Sequence, residues 1–211
     1  MIAGAIDSSY TRTDVQTADA GAYSVQVGNA VGTALSSNAW LTVNNPPLLA
    51  AINDQVIHAA TTLLLTNLTF DSDVPAQTLA FSLDPGFPTG AVIDPATGLF
   101  SWCTTAAQAG TTNPVTVRVT DNGIPALSAA RSFTIIVVAA PTFQAITAAT
   151  NGVTFSWSAI AGATYRIQYR DGLNDADWIS LTPDVVADGS TISLIDPIAS
   201  PQRFYRVLPR P

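Results

Sequence analysis

The sequence predicts an all-β protein. Every acidic residue is aspartate and every basic residue is arginine, so glutamate and lysine, two good formers of exposed helix, are absent from all 211 residues. In their place stand short runs of valine, threonine, isoleucine and aromatic residues, separated by 14 prolines and 13 glycines. Short runs of this kind between turn residues are typical of β-strands.

The charge balance excludes several classes of partner. The formal net charge is −7, so we expect no binding of nucleic acid or anionic lipid, whereas cations are permitted.

No apolar stretch approaches the roughly 20 residues of a membrane-spanning helix. The start "MIAGAIDSSY" lacks the basic residues and long apolar run of a signal peptide. The single cysteine, Cys103, excludes an internal disulfide.

Residues 1–43 contain the signals of one β-module. A strand is predicted at "SSYTRTDV", and the alternating runs "YSVQV" and "AWLTV" flank Gly-Asn and Val-Gly turn residues, which predicts a hairpin. Before the hairpin, "DAGAY" places Asp19, Gly21 and Tyr23 at alternate positions. This pentapeptide resembles the tyrosine corner of immunoglobulin-like domains, in which a tyrosine hydroxyl bonds back to the upstream backbone.

The resemblance implies that this first module is incomplete. In immunoglobulin-like domains three or more strands precede the segment with the tyrosine corner, and about 43 residues lie near the lower limit for a stable core. We therefore expect that the polypeptide starts inside a domain. We also expect that its bare sheet face is covered by a second copy, giving a homodimer, or by the next module.

Residues 44–139 carry four motifs of a second module. They contain "NNPP" at the start, "DSD" after an apolar run, the hairpin sequence "IDPATGLFSW", and "VTDNGIPALSA" before the last strand. In this order the motifs resemble a cadherin repeat and the related immunoglobulin-like repeats of large bacterial surface proteins. The resemblance spans the whole module and implies a β-sandwich.

Residues 140–211 predict a third sandwich. "GVTFSWSAIAGATYRIQYR" gives two strands around an Ala-Gly turn and places Trp157 and Tyr165 in a core, and "DWISLTP", "STISLID" and "RFYRVL" follow. The pattern resembles a fibronectin type III module. Because no further strand is predicted after "FYRVL", the sheet is expected to be one strand short.

The aspartates of "DSD" indicate a cation site. Asp71 and Asp73 lie at positions i and i+2 of an extended segment, so both carboxylates face one side, with their Cα atoms about 7 Å apart. Calcium is the natural ion, because it accepts six to eight hard oxygen ligands with tolerant geometry. Zinc would need histidine or cysteine. The competing interpretation is that the pair only caps the turn before Val74.

The cadherin resemblance implies the remaining ligands. Asp121 matches the aspartate of the closing loop, and Asn44 and Asn45 match the linker whose oxygens ligate the ion. This chain departs from the pattern, because its linker has no aspartate and the whole chain has no glutamate. At most one weak calcium site is therefore expected. A second acidic stretch, "DGLNDADW", misses the spacing of a calcium loop and is interpreted as a solvated hairpin loop.

The sequence contains no G-x-S-x-G elbow, H-E-x-x-H helix or Gly-rich phosphate loop of a catalytic site. His58 is the only histidine and is interpreted as a satisfied or exposed strand residue, while Cys103, next to Trp102, is interpreted as a small apolar residue. A hydrolase for esters, lactones or glycosides remains an alternative. It would use Asp71, Asp73 and Asp121 with calcium, assisted by His58.

The main prediction is a segment near the C-terminal end of a large exported bacterial surface protein. Its three tandem immunoglobulin-like, cadherin-like and fibronectin III-like β-sandwiches would act as a spacer or adhesion module, outside the cell, and bind an unidentified protein or glycan. The hydrolase is the second hypothesis for the function. The third is a carbohydrate-binding module that stacks sugars on one of the four tryptophans, Trp40, Trp102, Trp157 or Trp178.

Overall fold

The computed structural model describes residues 2, 5–197 and 202–210, and these are almost entirely β-strand and turn. The N-terminal segment has a 3-10 turn at Thr17–Asp19 followed by four short strands. They are β1 (Gly21–Tyr23), β2 (Gln26–Gly28), β3 (Thr33–Leu35) and β4 (Ala39–Leu41). Antiparallel pairing joins β1 to β4 and β2 to β3. The prediction for this segment was partly wrong, because residues 8–15 form no strand. The predicted hairpin is present, with its turn between β2 and β3 and Tyr23 paired with Ala39.

The tyrosine corner is confirmed. The Tyr23 hydroxyl donates a hydrogen bond of 2.6 Å to the carbonyl oxygen of Asp19, four residues upstream. This bond fixes the entry of the chain into β1. No described residue before position 44 is buried, however, so the paired strands of this segment have no core of their own.

The middle sandwich contains nine strands. They are β5 (Leu48–Leu49), β6 (Gln55–His58), β7 (Thr62–Thr66), β8 (Thr69–Phe70), β9 (Ala80–Leu83), β10 (Ala91–Ile93), β11 (Leu99–Cys103), β12 (Thr111–Thr120) and β13 (Ser128–Val138), with a 3-10 turn at Ala106–Gln108. One sheet has the order β10-β11-β7 and the other β6-β13-β12-β9, while β5 pairs with β8. Only the pairing of β6 with β13 among these is parallel.

Alternation along the strands builds the middle core. In β11 the side chains of Phe100 and Trp102 are fully buried, whereas their neighbours point outward. Cys103 follows the buried Trp102 and is exposed, so it takes no part in the core. The predicted "IDPATG" hairpin forms between β10 and β11, where Asp94 caps the turn through the amide groups of Ala96 and Thr97.

The described residues of the C-terminal sandwich form seven strands. They are β14 (Phe143–Ala149), β15 (Gly152–Ser158), β16 (Thr164–Arg170), β17 (Ile179–Ser180), β18 (Val185–Val186), β19 (Thr191–Asp196) and β20 (Phe204–Arg210). One sheet has the order β14-β15-β19, and in the other β16 pairs with β17 and β18 on one side and β20 on the other. Trp157 and Tyr165 are fully buried, as predicted.

The buried apolar side chains of the described residues fall into two separate clusters. One lies between residues 49 and 137 and the other between residues 155 and 192. In the part of the chain that the structure describes, no helix has the length and apolarity needed to cross a membrane.

Candidate metal centre

The predicted ligands lie at the end of the middle sandwich that faces the N-terminal segment. Asp71 and Asp73 follow β8, Asp121 follows β12, and Asn44 and Asn45 precede β5. The backbone amide of Asp73 donates to Asp71 Oδ1 at 3.0 Å, which turns the chain sharply between the two aspartates. Asp73 and Asp121 are buried, with 8% and 5% of their surfaces exposed, so neither carboxylate extends into bulk solvent.

Asn45 ties the linker to the aspartate pair. Its backbone amide donates to Asp73 Oδ2 at 2.8 Å, and its side-chain Nδ2 donates to Asp73 Oδ1 at 2.6 Å. On the other side, the Thr17 hydroxyl donates to Asn45 Oδ1 at 3.2 Å. Asn45 thus connects the N-terminal segment with the loop that carries Asp73.

Asn44 performs the same task for the closing loop. Its Nδ2 donates to Asp121 Oδ2 at 3.2 Å and to the carbonyl oxygen of Pro125 at 2.9 Å. The other oxygen of Asp121 accepts from the amides of Gly123 and Leu127, which closes the loop around the carboxylate. Gly123 is required here, because a Cβ atom at this position would overlap the Asn44 side chain.

Gln77 is a member of the site that the sequence analysis missed. Its Nε2 donates to Asp73 Oδ2 at 3.0 Å and makes a short hydrogen bond to Asn44 Oδ1. Gln77 therefore bridges the aspartate pair to the linker and, through Asn44, to Asp121. No local motif marks this glutamine, which lies in the loop between β8 and β9.

The carboxylates do not form a compact group by themselves. Among the described residues, no three or more His, Cys, Asp or Glu side chains form a group that could hold a metal ion. Contrary to the prediction, the three carboxylates do not meet directly. The side-chain amide groups of Asn44, Asn45 and Gln77 lie between them and donate hydrogen bonds to them. A cation at this place needs amide oxygens among its ligands.

Two buried oxygen atoms make the residues suitable for such an ion. Asp71 Oδ2 and Gln77 Oε1 are buried, and neither accepts a hydrogen bond within the described structure. A buried acceptor without a partner carries a desolvation penalty of about 1–3 kcal/mol. Calcium binds carboxylate and amide oxygens of this type, so the donor set fits this ion and does not fit zinc.

His58 lies far from these aspartates. It pairs with Val138 at the end of β13, whereas Asp121 precedes the loop that leads to the start of the same strand. The eleven residues of β13 separate the two places by roughly 30 Å at about 3.3 Å per residue. The histidine is buried and both of its ring nitrogens are hydrogen-bonded, to Ala139 and Tyr165. The structure therefore does not bring His58 to the predicted site, which removes the proposed assistant of a hydrolase.

The four tryptophans differ in accessibility. Trp102 and Trp157 are fully buried, so the suggestion that either stacks sugars was wrong. Trp178 follows the "DGLNDADW" loop, and the guanidinium groups of Arg170 and Arg206 lie over its ring, 4.7 and 4.3 Å from the centroid. Trp40 is 76% exposed and is the remaining candidate for a stacking platform.

The comparison with protein families decides the nature of the middle sandwich. Residues 42–138 match the sequence model of a family described as Putative Ig domain. These residues form an immunoglobulin-like domain. The match begins just before Asn44 and ends at Val138, so it contains the whole candidate metal centre and His58. No curated protein matches the chain.

Several solved structures resemble the chain. Mouse Cadherin-23 EC22-24 is 19% identical with a TM-score of 0.39, over 54% of this chain and 38% of that fragment. Human CDH23 EC21-23 is also 19% identical, with a TM-score of 0.41, over 78% and 65% of the two chains. The titin fragment I67-I69 is 14% identical with a TM-score of 0.43, over 88% and 67%. The chain thus spans little more than a third of the mouse fragment, and the immunoglobulin-like assignment rests on the family match.

Proposed function

We propose that this chain is a spacer segment of a large extracellular bacterial surface protein, and that calcium stiffens the joint between its N-terminal segment and its immunoglobulin-like domain. The observation that carries the proposal is the buried polar cluster at this joint, with Asp71 Oδ2 and Gln77 Oε1 left without hydrogen-bond donors. The cadherin-like order of the sequence motifs points to the same function.

The residues of the cluster have different roles. Asp71, Asp73 and Asp121 supply negative charge from two loops, and the linker residues Asn44 and Asn45 supply amide groups that already contact those loops. The amide donors balance the negative charge of the three carboxylates only in part. Bound calcium would supply the remaining positive charge. Because the linker would then be tied to both loops through one ion, bending at the joint would break several ligand contacts at once.

Calcium titration tests this proposal. Extracellular calcium modules have dissociation constants of about 10⁻⁴ to 10⁻³ M, so 1 mM calcium should stabilise the fold by about 0.4 to 1.4 kcal/mol through mass action. We expect a heat signal in isothermal titration and a higher melting temperature in calcium than in chelator. The double variant Asp71→Asn, Asp73→Asn should lose both. The Asp188→Asn variant changes the charge of an exposed loop residue and should keep both. A melting temperature that is the same in calcium and chelator would remove the calcium function.

The N-terminal segment supports a second proposal, namely that it pairs with a second copy of the chain. Val25, Val27, Leu35 and Trp40 are 63–76% exposed on strands or beside them, although such residues normally lie in a core. Light scattering should then show a dimer that dissociates in the Trp40→Ser variant. A monomer that binds oligosaccharides through Trp40 would instead favour the carbohydrate-binding reading.

A further inference from the structure

Apart from Phe143, which packs against the core, the inward face of β14 has nothing packed against it. In the ladder with β15, Phe143, Ile146 and Ala148 lie opposite Trp157, Phe155 and Val153, the residues of β15 that face the core. Cross-strand partners point to the same side of a sheet, so these three side chains of β14 also face inward. Nevertheless, Ile146 is 59% exposed and β14 contributes no buried residue.

The second sheet of this sandwich, which contains β16 and β20, does not extend far enough to cover the inward face of β14. Its strand β20 pairs with β16 on one edge, and among the described residues no strand pairs with its other edge. Between β20 and the β14–β15 hairpin lies a cleft of about 600 Å³, with walls that include Phe143, Ile146 and Phe204. The unpaired edge of β20 and the uncovered face of β14 therefore border the same space.

The cleft beside β20 suits one additional β-strand. Neighbouring strands lie about 4.8 Å apart within a sheet, and packed sheets lie about 10 Å apart. A strand placed beside β20 would extend its sheet over β14 and cover the inward side chains of that strand. The unpaired backbone groups of an edge strand are a template for this kind of addition.

The surroundings of the cleft indicate the chemistry of the added strand. Its inward side chains would meet apolar residues of β14, so alternate residues must be apolar. Its outward side chains would lie beside the outer face of β20 and β16, which carries Arg166, Arg170, Arg206 and Arg210. Among the described residues, two of these four arginines pair with a carboxylate, and both use Asp184. Acidic residues at the outward positions complement this excess of positive charge.

A second copy of the sandwich does not suit the cleft. The inward residues of its own β20, Tyr205 and Val207, already pack against its own core. Edge-to-edge pairing of two β20 strands would also bring Arg206 and Arg210 of both copies together. A free extended segment meets neither obstacle.

We propose that the C-terminal sandwich binds an extended peptide segment by strand addition at β20, and that this segment alternates apolar and acidic residues. The binding surface consists of the β20 edge and the inward side chains of β14. This surface lies in the C-terminal sandwich, whereas the candidate metal centre lies in the middle sandwich. Either proposal can therefore fail without affecting the other.

A labelled ten-residue peptide of alternating valine and aspartate is the probe for this surface, with fluorescence anisotropy as the measurement. We expect saturable binding and slower hydrogen exchange at the backbone amides of β20. A peptide of the same composition with five valines followed by five aspartates should bind at least about tenfold more weakly, a difference of roughly 1.4 kcal/mol. The alternating valine–lysine peptide should also bind more weakly. Equal binding of all three peptides would overturn the proposal.

Two variants on β14 locate the binding surface. Ala148→Arg places a charge on the inward face that lines the cleft, whereas Ala145→Arg places the same charge on the outward face, opposite Ser156. Both alanines are exposed, so both variants should keep the melting temperature of the parent. Ala148→Arg should weaken peptide binding about tenfold or more, and Ala145→Arg should leave it unchanged. Equal effects of the two variants, or a dimer in light scattering that Ala148→Arg dissociates, would overturn the proposal.

Discussion

The imidazole Nε2 of His58 lies 2.6 Å from the hydroxyl oxygen of Tyr165, and this contact joins the middle sandwich to the C-terminal sandwich. The other ring nitrogen, Nδ1, lies 2.6 Å from the carbonyl oxygen of Ala139. Because a carbonyl oxygen only accepts, Nδ1 carries the proton, and in the neutral ring Nε2 accepts the hydroxyl proton of Tyr165. The hydroxyl oxygen in turn accepts from the backbone amide of Ile160 at 2.7 Å.

This chain of hydrogen bonds gives the second joint of the protein a fixed geometry. His58 and Tyr165 are both buried, and their rings meet edge-on with centroids 5.6 Å apart. The linker residue Ala139 takes part through its carbonyl group, so the linker is held by the same contacts. This second joint is thus held by hydrogen bonds between protein groups.

Replacement of Tyr165 with phenylalanine should destabilise the protein. The Tyr165→Phe variant keeps the ring in the core but leaves Nε2 of His58 and the amide of Ile160 without partners. The expected loss is about 1–3 kcal/mol in the free energy of unfolding, measured with urea. Tyr169→Phe is the matched control on the same strand, because no hydrogen bond to the Tyr169 hydroxyl is found among the described residues. A loss below about 0.5 kcal/mol for Tyr165→Phe would show that the contact contributes little.

Replacement of Asp196 with alanine should have a larger effect. Asp196 is 2% exposed, accepts two hydrogen bonds from Nη1 of Arg203, and accepts one of 2.7 Å from the Tyr205 hydroxyl. Burial and the contact with Asp196 raise the pKa of Tyr205, so this hydroxyl stays protonated as a donor. The Asp196→Ala variant would leave Arg203 without its buried partner, at a cost of about 3–5 kcal/mol.

Asp171 provides the comparison for this effect. It also pairs with Arg203, at 3.0 Å, but its side chain is 53% exposed. The Asp171→Ala variant should therefore lose no more than about 1 kcal/mol in the same urea experiment. Similar losses for the Asp171 and Asp196 variants would mean that burial does not decide the strength of these two pairs.

Gly98 is expected to tolerate no side chain. Its φ angle is +70°, and a Cβ atom here would lie 2.7–2.9 Å from ring carbons of Phe81, which is part of the middle core. Both the backbone angle and the overlap oppose Gly98→Ala, so we expect a loss of about 2 kcal/mol or more in thermal or urea unfolding. Gly189→Ala is the control, because this glycine has an ordinary backbone angle and open space around it. Equal stability of the two variants would contradict the packing argument.

Local patterns explain what the sequence predicted well. The turn of Asp94 and Gly98, the corner of Tyr23, and the burial of Trp157 and Tyr165 each depend on residues a few positions apart or on simple alternation. The exposure of Cys103 was available from the same alternation, since it follows a buried tryptophan by one position in a strand.

Contacts between distant residues explain what the sequence did not predict. His58 and Tyr165 are 107 positions apart and lie in different sandwiches, so no spacing rule connects them. Gln77 joins the polar cluster of Asp71, Asp73 and Asp121 through Asn44, 33 positions away, and a single glutamine in a loop carries no signal of this role. The motifs identified the aspartates of the candidate site, but only the folded arrangement shows the amide groups between them.

The acid sensitivity of the hairpin between β10 and β11 follows from the cap at Asp94. The pKa of Asp94 is lowered, first by the backbone amide of Thr97, then by the Thr97 hydroxyl and the amide of Ala96. A carboxyl group whose pKa is lower in the folded state stabilises the fold above its unfolded pKa of about 3.9. That contribution is lost as the pH falls through the folded value.

The Asp94→Asn variant tests this dependence. The amide oxygen of asparagine still accepts hydrogen bonds, but the side chain carries no charge and does not titrate. We expect the variant to be less stable than the parent at pH 7 in urea unfolding, and the difference to shrink as the pH falls from about 4 to about 2. Asp188→Asn makes the same change in net charge at an exposed residue and controls for it. A difference between Asp94→Asn and the parent that stays constant over this range would show that the charge of Asp94 does not stabilise the turn.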